Sequence, residues 1–413
     1  MSDPELSSLA EPSVRAPKPL PDGVSAATIG VRGGLLRSQF EETAEGLFLS
    51  SGYVYDSAAA AERAFTGEVD RFVYSRYGNP TVSMFEERLR LIEGAQAAFA
   101  TASGMAAVFV ALGALPKAGD RLVAARSLFG SCFVVCNEIL PRWGVETVFV
   151  DGEDLAQWEQ ALSVPTQAVF FETPSNPMQS LVDIAAVTEL AHAAGAKVVL
   201  DNVFATPLLQ QGLPLGVDVV VYSGTKHIDG QGRVLGGAVL GESEFIDGPV
   251  QTLMRHTGPA LSAFNAWILL KGLETLAVRV DYANSAALQI AEFLQQHPAV
   301  SWVRYPFLAS HPQYDLARRQ MSGGGTVITF ELDGPQSGAK QRAFELLDKL
   351  KLIDISNNLG DAKSLITHPA TTTHRAMGPD GRAAIGLGDG VVRISVGLEG
   401  TADLIADLDQ ALA

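Results

Sequence analysis

Lys226 closes the run Ser223-Gly224-Thr225-Lys226, directly after an apolar, β-branched stretch over 217–222. Two hydroxyl residues and a glycine ahead of a lysine can hold a phosphate while the amine reaches a carbonyl, the arrangement of a Schiff-base lysine. The plain alternative is a solvated surface charge, as most lysines are. A second apolar run over 197–200 ends on Asp201. A carboxylate at a strand end can simply cap the segment that follows. Together with Lys226 it has a chemical use, because pyridoxal phosphate needs a carboxylate to keep its ring nitrogen protonated and a lysine to carry its aldehyde.

Four more places offer ligand-binding groups. In Tyr74-Ser75-Arg76-Tyr77-Gly78-Asn79-Pro80-Thr81 an arginine lies between tyrosines just before a helical pattern over 82–93. Arg76 fits a phosphate or an exposed ion pair equally well. Ser103-Gly104-Met105 opens a helix of small residues over 106–115, and free N–H groups at a helix start approached through a glycine bind anions. Ser103 can equally be an N-cap. Glu172-Thr173-Pro174-Ser175-Asn176-Pro177 ends another apolar run, so Asn176 can reach a ligand there. Arg393 interrupts the apolar run over 391–396, where a charge is costly unless paired. It should face a carboxylate, from the protein or from a substrate.

These residues need a scaffold that brings strand ends together. Short apolar runs at 121–125, 147–150, 168–172, 197–201 and 217–222 alternate with helical stretches such as 184–194, the signature of a mostly parallel sheet with helices on both faces. Open α/β sheets place ligands at the carboxyl edge of the strands, where Lys226 and Asp201 fall. The glycine-rich stretch over 230–237 follows Lys226 rather than opening a first strand-to-helix turn, so it reads as a turn into a strand over 238–240 and not as a dinucleotide loop. A long helix over 262–296, with room for a break, leads to a smaller α+β part with strands over 325–332 and 392–396. The division expected is an N-terminal arm over 1–68 without a long helical period, a cofactor-binding domain over 69–262 and a C-terminal domain over 263–413.

The 413 residues carry a formal net charge of −16, which speaks against nucleic acid as a partner. There is no apolar span of bilayer length and no secretory pattern in the first 21 residues, whose Ser, Pro and Glu content suggests a mobile arm. Cys132 and Cys136, the only cysteines, are spaced for helix packing in a reducing cytoplasm rather than for a disulfide or a metal.

With these stretches placed, the sequence resembles the Cys/Met-metabolism family of pyridoxal-phosphate enzymes. The Tyr74–Thr81 stretch, Ser103-Gly104-Met105, Glu172 to Pro177, Ser223 to Lys226, His368-Pro369-Ala370 and Arg393-Ile394-Ser395-Val396-Gly397 occur in the family's order. The resemblance implies an aspartate-aminotransferase-like, fold type I architecture with pyridoxal 5'-phosphate on Lys226 and Asp201 against its ring nitrogen. It implies that Gly104, Met105, Ser223 and Thr225 hold the phosphate, and that Tyr74 and Arg76 reach in from a neighbouring subunit of a homotetramer with shared active sites. Asn176 would lie by the ring oxygen and Arg393 would take the substrate α-carboxylate. Phe129, where many members stack a tyrosine, and Asn358, in Asn358-Leu359-Gly360, point to the branch that joins O-succinylhomoserine and sulfide. Cysteine as nucleophile, the acetyl ester and γ-elimination stay open as alternatives. Arg37 and Arg126 are candidates for the succinyl carboxylate, with surface ion pairs as the equal alternative.

Overall fold

The computed structural model describes residues 19–413, so the reading of the first 21 residues lies almost wholly outside the described part. Two sheets organise it. The larger contains β1 (Ala97–Thr101), β2 (Arg121–Ala125), β3 (Glu146–Val150), β4 (Ala168–Glu172), β5 (Lys197–Asp201), β6 (Val219–Ser223) and β7 (Gly237–Gly241), in the order β1-β7-β6-β5-β4-β2-β3. From β3 across to β6 every pairing is parallel, and β7 alone runs antiparallel to its neighbours β1 and β6. β4 is buried at every position, as strands covered by helices on both faces must be. This is the mostly parallel sheet expected from the alternating pattern.

Register delivers the strand ends to one edge. Glu172 pairs with Asp201 across β4 and β5, and Asp201 pairs with Val221 two residues short of Ser223. Helix α1 (Pro80–Glu93) begins where Asn79-Pro80 indicates, with the Asn79 side chain accepting from the Thr81 and Val82 N–H groups. Helix α2 (Gly104–Ala114) starts behind Ser103, whose hydroxyl accepts from the Ala106 N–H.

Strand β1 went unanticipated. Its sequence, Ala-Ala-Phe-Ala-Thr, favours helix by propensity, and only the five-residue pairing with β7 makes it a strand. The arm also holds two short helices, Ala26–Arg32 and Ala58–Phe65, each capped by a serine; they are too short to show a period.

The long helix over 262–296 is two helices, α3 (Ala263–Glu274) and α4 (Leu276–Gln296), parted at Thr275. Beyond them lies the second sheet: β8 (Val300–Arg304), β9 (Val327–Leu332), β10 (Asp354–Ile355), β11 (Leu365–Thr367) and β12 (Val391–Ser395), ordered β10-β11-β12-β9-β8. Arg393 occupies the middle of β12, between Thr367 of β11 and Thr329 of β9.

The arm is bound to this frame by charge. Arg88 of α1 is fully buried and donates to Glu45, which also accepts from Lys271 of α3 at 2.9 Å. The Trp267 indole donates to the Glu45 carbonyl at 3.0 Å. Among the described residues no helix is long and apolar enough to cross a membrane.

Candidate active site

At the carboxyl edge of the larger sheet, the ends of β4, β5 and β6 open into a cavity of about 270 Å³, lined by Glu172, Asn176, Asp201, Ser223, Thr225 and Lys226 among others. Phe129, Met105 and Gly104 close it on one side. The second domain supplies the remainder, since Asn357, Leu359, Thr373 and Arg393 line the same space.

The contacts are specific. Lys226 Nζ donates to Asn358 Oδ1 at 2.5 Å. Arg393 Nη1 donates to Asn176 Oδ1 at 2.9 Å, and Nη2 donates to the carbonyls of Asn357 at 2.9 Å and Asn358 at 3.3 Å. Of the two carboxylates left open for Arg393, from the protein or from a substrate, no protein one among the described residues is a direct partner of the guanidinium. Its direct partners are amide and carbonyl oxygens, and among the described residues it makes no ion pair; Glu172 attracts it only from a distance. Its Nε is buried without a partner. A buried guanidinium held by neutral groups, with an N–H to spare, is a receptor for an incoming carboxylate.

Burial dominates the electrostatics. It brings the Lys226 amine down to about 8, helped by the positive charge of Arg393. It pushes the Asp201 carboxyl up to about 6 and the Glu172 carboxyl well above the usual range, the latter also repelled by Asp201. A lowered amine and raised carboxyls in one cavity are what proton-transfer and covalent chemistry require.

Residues 27–413 match the family described as Cys/Met metabolism PLP-dependent enzymes. The chain belongs to that family. It is 83% identical over 403 residues to an O-succinylhomoserine sulfhydrylase of Mycobacterium tuberculosis (strain H37Rv), covering 98% of this chain and 99% of the relative. A protein of the same name from Pseudomonas aeruginosa is 46% identical over 392 residues, 95% of this chain and 96% of the relative. A crystal structure of a putative O-acetylhomoserine (thiol)-lyase from Campylobacter jejuni, holding N'-pyridoxyl-lysine-5'-monophosphate, superimposes with a TM-score of 0.89 at 31% identity, covering 94% of this chain and all of that one.

The cavity fits the family's cofactor. The first-turn N–H groups of α2 have no carbonyl one turn back to accept them, and the Ser223 and Thr225 hydroxyls line the same space. Gly104 permits the approach, because a Cβ there would lie 2.5 Å from Ser223 Cβ. Gly104→Ala is expected to force α2 off Ser223, an overpacking of about 1–3 kcal/mol that weakens retention of pyridoxal phosphate roughly tenfold or more. Dialysis followed by absorbance of the bound cofactor measures this, and wild-type retention in the variant would remove the cradle from consideration.

The structure brings Lys226, Asp201, Asn176, Phe129, Gly104, Met105, Ser223, Thr225, Asn358 and Arg393 together. It does not bring Tyr74 and Arg76 to the cavity of their own chain. The Arg76 guanidinium lies over the rings of Tyr74 and Tyr77, 5.4 and 4.9 Å from their centroids, and donates to the Arg255 carbonyl. Arg37 and Arg126 are also absent from the lining, and Arg37 is tied to the Glu42 carbonyl within the arm. Glu172 and His374 were missed as site residues. His374 is fully buried, donates from Nε2 to the Asn176 carbonyl at 3.1 Å, and is kept neutral by burial, which lowers it to about 4. The only sequence signal for Glu172 was its place at a strand end, like Asp201.

Proposed function

We propose that this protein catalyses a γ-replacement in methionine biosynthesis, converting O-succinylhomoserine and sulfide to homocysteine and succinate. The observation that carries the reaction class is the joint presence in one cavity of Lys226, Asp201 and the carboxylate-free Arg393. The ester and the nucleophile rest on the 83% identity to a sulfhydrylase of that name.

When bound, pyridoxal phosphate supplies the sink for electrons left behind as protons leave the substrate carbons. Lys226 would hold the cofactor through its amine, and the same Nζ, on four methylenes, would have the reach to take protons from the substrate Cα and Cβ. Asp201 would hold the ring-nitrogen proton, Arg393 would bind the α-carboxylate, and Asn176, which accepts from Arg393, would help hold the cofactor. Phe129, which lines the cavity, would pack against the cofactor without a hydroxyl, so proton transfer there would fall to Lys226. Tyr74 and Arg76 complete a neighbouring subunit's phosphate site in a cytoplasmic homotetramer, which accounts for their distance from the cavity of their own chain.

The test is a parallel assay of the purified protein with O-succinylhomoserine plus either sulfide or cysteine. Homocysteine is the expected dominant product. Dominant cystathionine would make the protein a cystathionine γ-synthase, 2-oxobutyrate alone would make it a γ-lyase, and turnover of only the acetyl ester would make it an O-acetylhomoserine sulfhydrylase.

A further inference from the structure

Phe129 has to lie flat against a cofactor, yet it belongs to an irregular turn. It opens a five-residue helix, Gly130–Val134, that has no side-chain cap of its own. What holds the turn is Glu172, whose Oε2 accepts from the Phe129 N–H at 2.9 Å. Glu172 also ends the strand from which the loop carrying Asn176 departs, and Asn176 presents Oδ1 to Arg393. On its far side the turn has no slack, because a Cβ on Gly130 would lie 2.9 Å from the Thr373 carbonyl oxygen. Glu172 is itself fixed, being the last residue of the wholly buried β4 and paired in register with Asp201.

We propose that Glu172 is a positioning residue whose side-chain carboxyl sets, through the Phe129 N–H, the aromatic plate at Phe129 beside the carboxylate receptor formed by Asn176 and Arg393. Its contribution is geometric. It neither moves a proton nor serves as a counter-ion, and its buried carboxyl is held above the ordinary range, so a neutral acceptor of the same length suffices. The inference goes beyond the choice of ester and nucleophile and rests on pyridoxal phosphate occupying the cavity.

Two substitutions separate position from charge. Glu172→Asp keeps the charge and withdraws the oxygens by about 1.5 Å, one carbon–carbon bond. Glu172→Gln removes the charge and leaves an acceptor in reach of the Phe129 N–H. The holoenzymes are compared by visible circular dichroism of the bound cofactor, which reports the asymmetry of its packing, and by KM for whichever homoserine ester the wild type turns over. Glu172→Asp is expected to lose at least half of the dichroic amplitude and to raise KM roughly tenfold, the cost of an orphaned buried donor. Glu172→Gln is expected to stay within about threefold of wild type in KM and to keep its dichroism. A wild-type Glu172→Asp, or a Glu172→Gln as impaired as the Asp variant, would overturn the proposal. Because dichroism needs no turnover, a wrong ester leaves that readout intact.

Discussion

A Lys226→Ala protein is expected to fold, to bind pyridoxal phosphate without a covalent link, and to lose turnover by at least about 10³-fold, the scale of a missing acid–base group that is also the covalent anchor. The substitution is tolerable structurally because Lys226 contributes one hydrogen bond, to Asn358, and no ion pair among the described residues. The wild-type apo-protein offers a companion measurement. Burial lowers the Lys226 amine to about 8, so its neutral, attacking form grows as pH rises through 8 rather than through the ordinary lysine range near 10.4. Stopped-flow absorbance on adding cofactor should therefore show attachment accelerating between about pH 7 and 9. Near-normal turnover by the alanine variant would strip Lys226 of its role.

Arg393→Ala should show its loss mainly in substrate binding. Two charge-assisted hydrogen bonds to a carboxylate contribute about 3 kcal/mol together, so kcat/KM should fall roughly 100-fold or more, with KM carrying most of the change. Arg393→Lys should not restore it, because an ammonium cannot span the fork and would leave Asn176 Oδ1 or the carbonyls of 357 and 358 unpaired. Cofactor absorbance serves as the control for an intact site. Unchanged kinetics in the alanine variant would mean that the carboxylate binds elsewhere.

The strands that carry the chemistry were legible because each ends where its apolar run ends. Asp201 is the first polar residue after one such run and Lys226 closes the short stretch Ser223 to Lys226 after another, and the parallel register turns equal run endings into a common edge. Arg393 was legible for the opposite reason, as a charge inside an apolar run. What it faces was not, since Asn176 reaches it from one loop and Asn357 and Asn358 from another. Glu172 escaped notice because its contact is with the backbone N–H of Phe129, which leaves no trace in side-chain chemistry. Strand β1 escaped because alanine reads as helix until a partner strand overrides it.

The buried Arg88 bears on how the gene can be trimmed for expression. Glu45 supplies its counter-charge from the arm, together with a carbonyl for Trp267. A shortened protein that starts after Glu45 would leave a guanidinium in the core with its nearest carboxylate at Glu274, 3.8 Å away. Removing one partner of a buried ion pair costs about 3–5 kcal/mol, a large share of the stability of an ordinary domain. Cloning boundaries on this protein belong upstream of residue 45, however dispensable the arm looks from its composition.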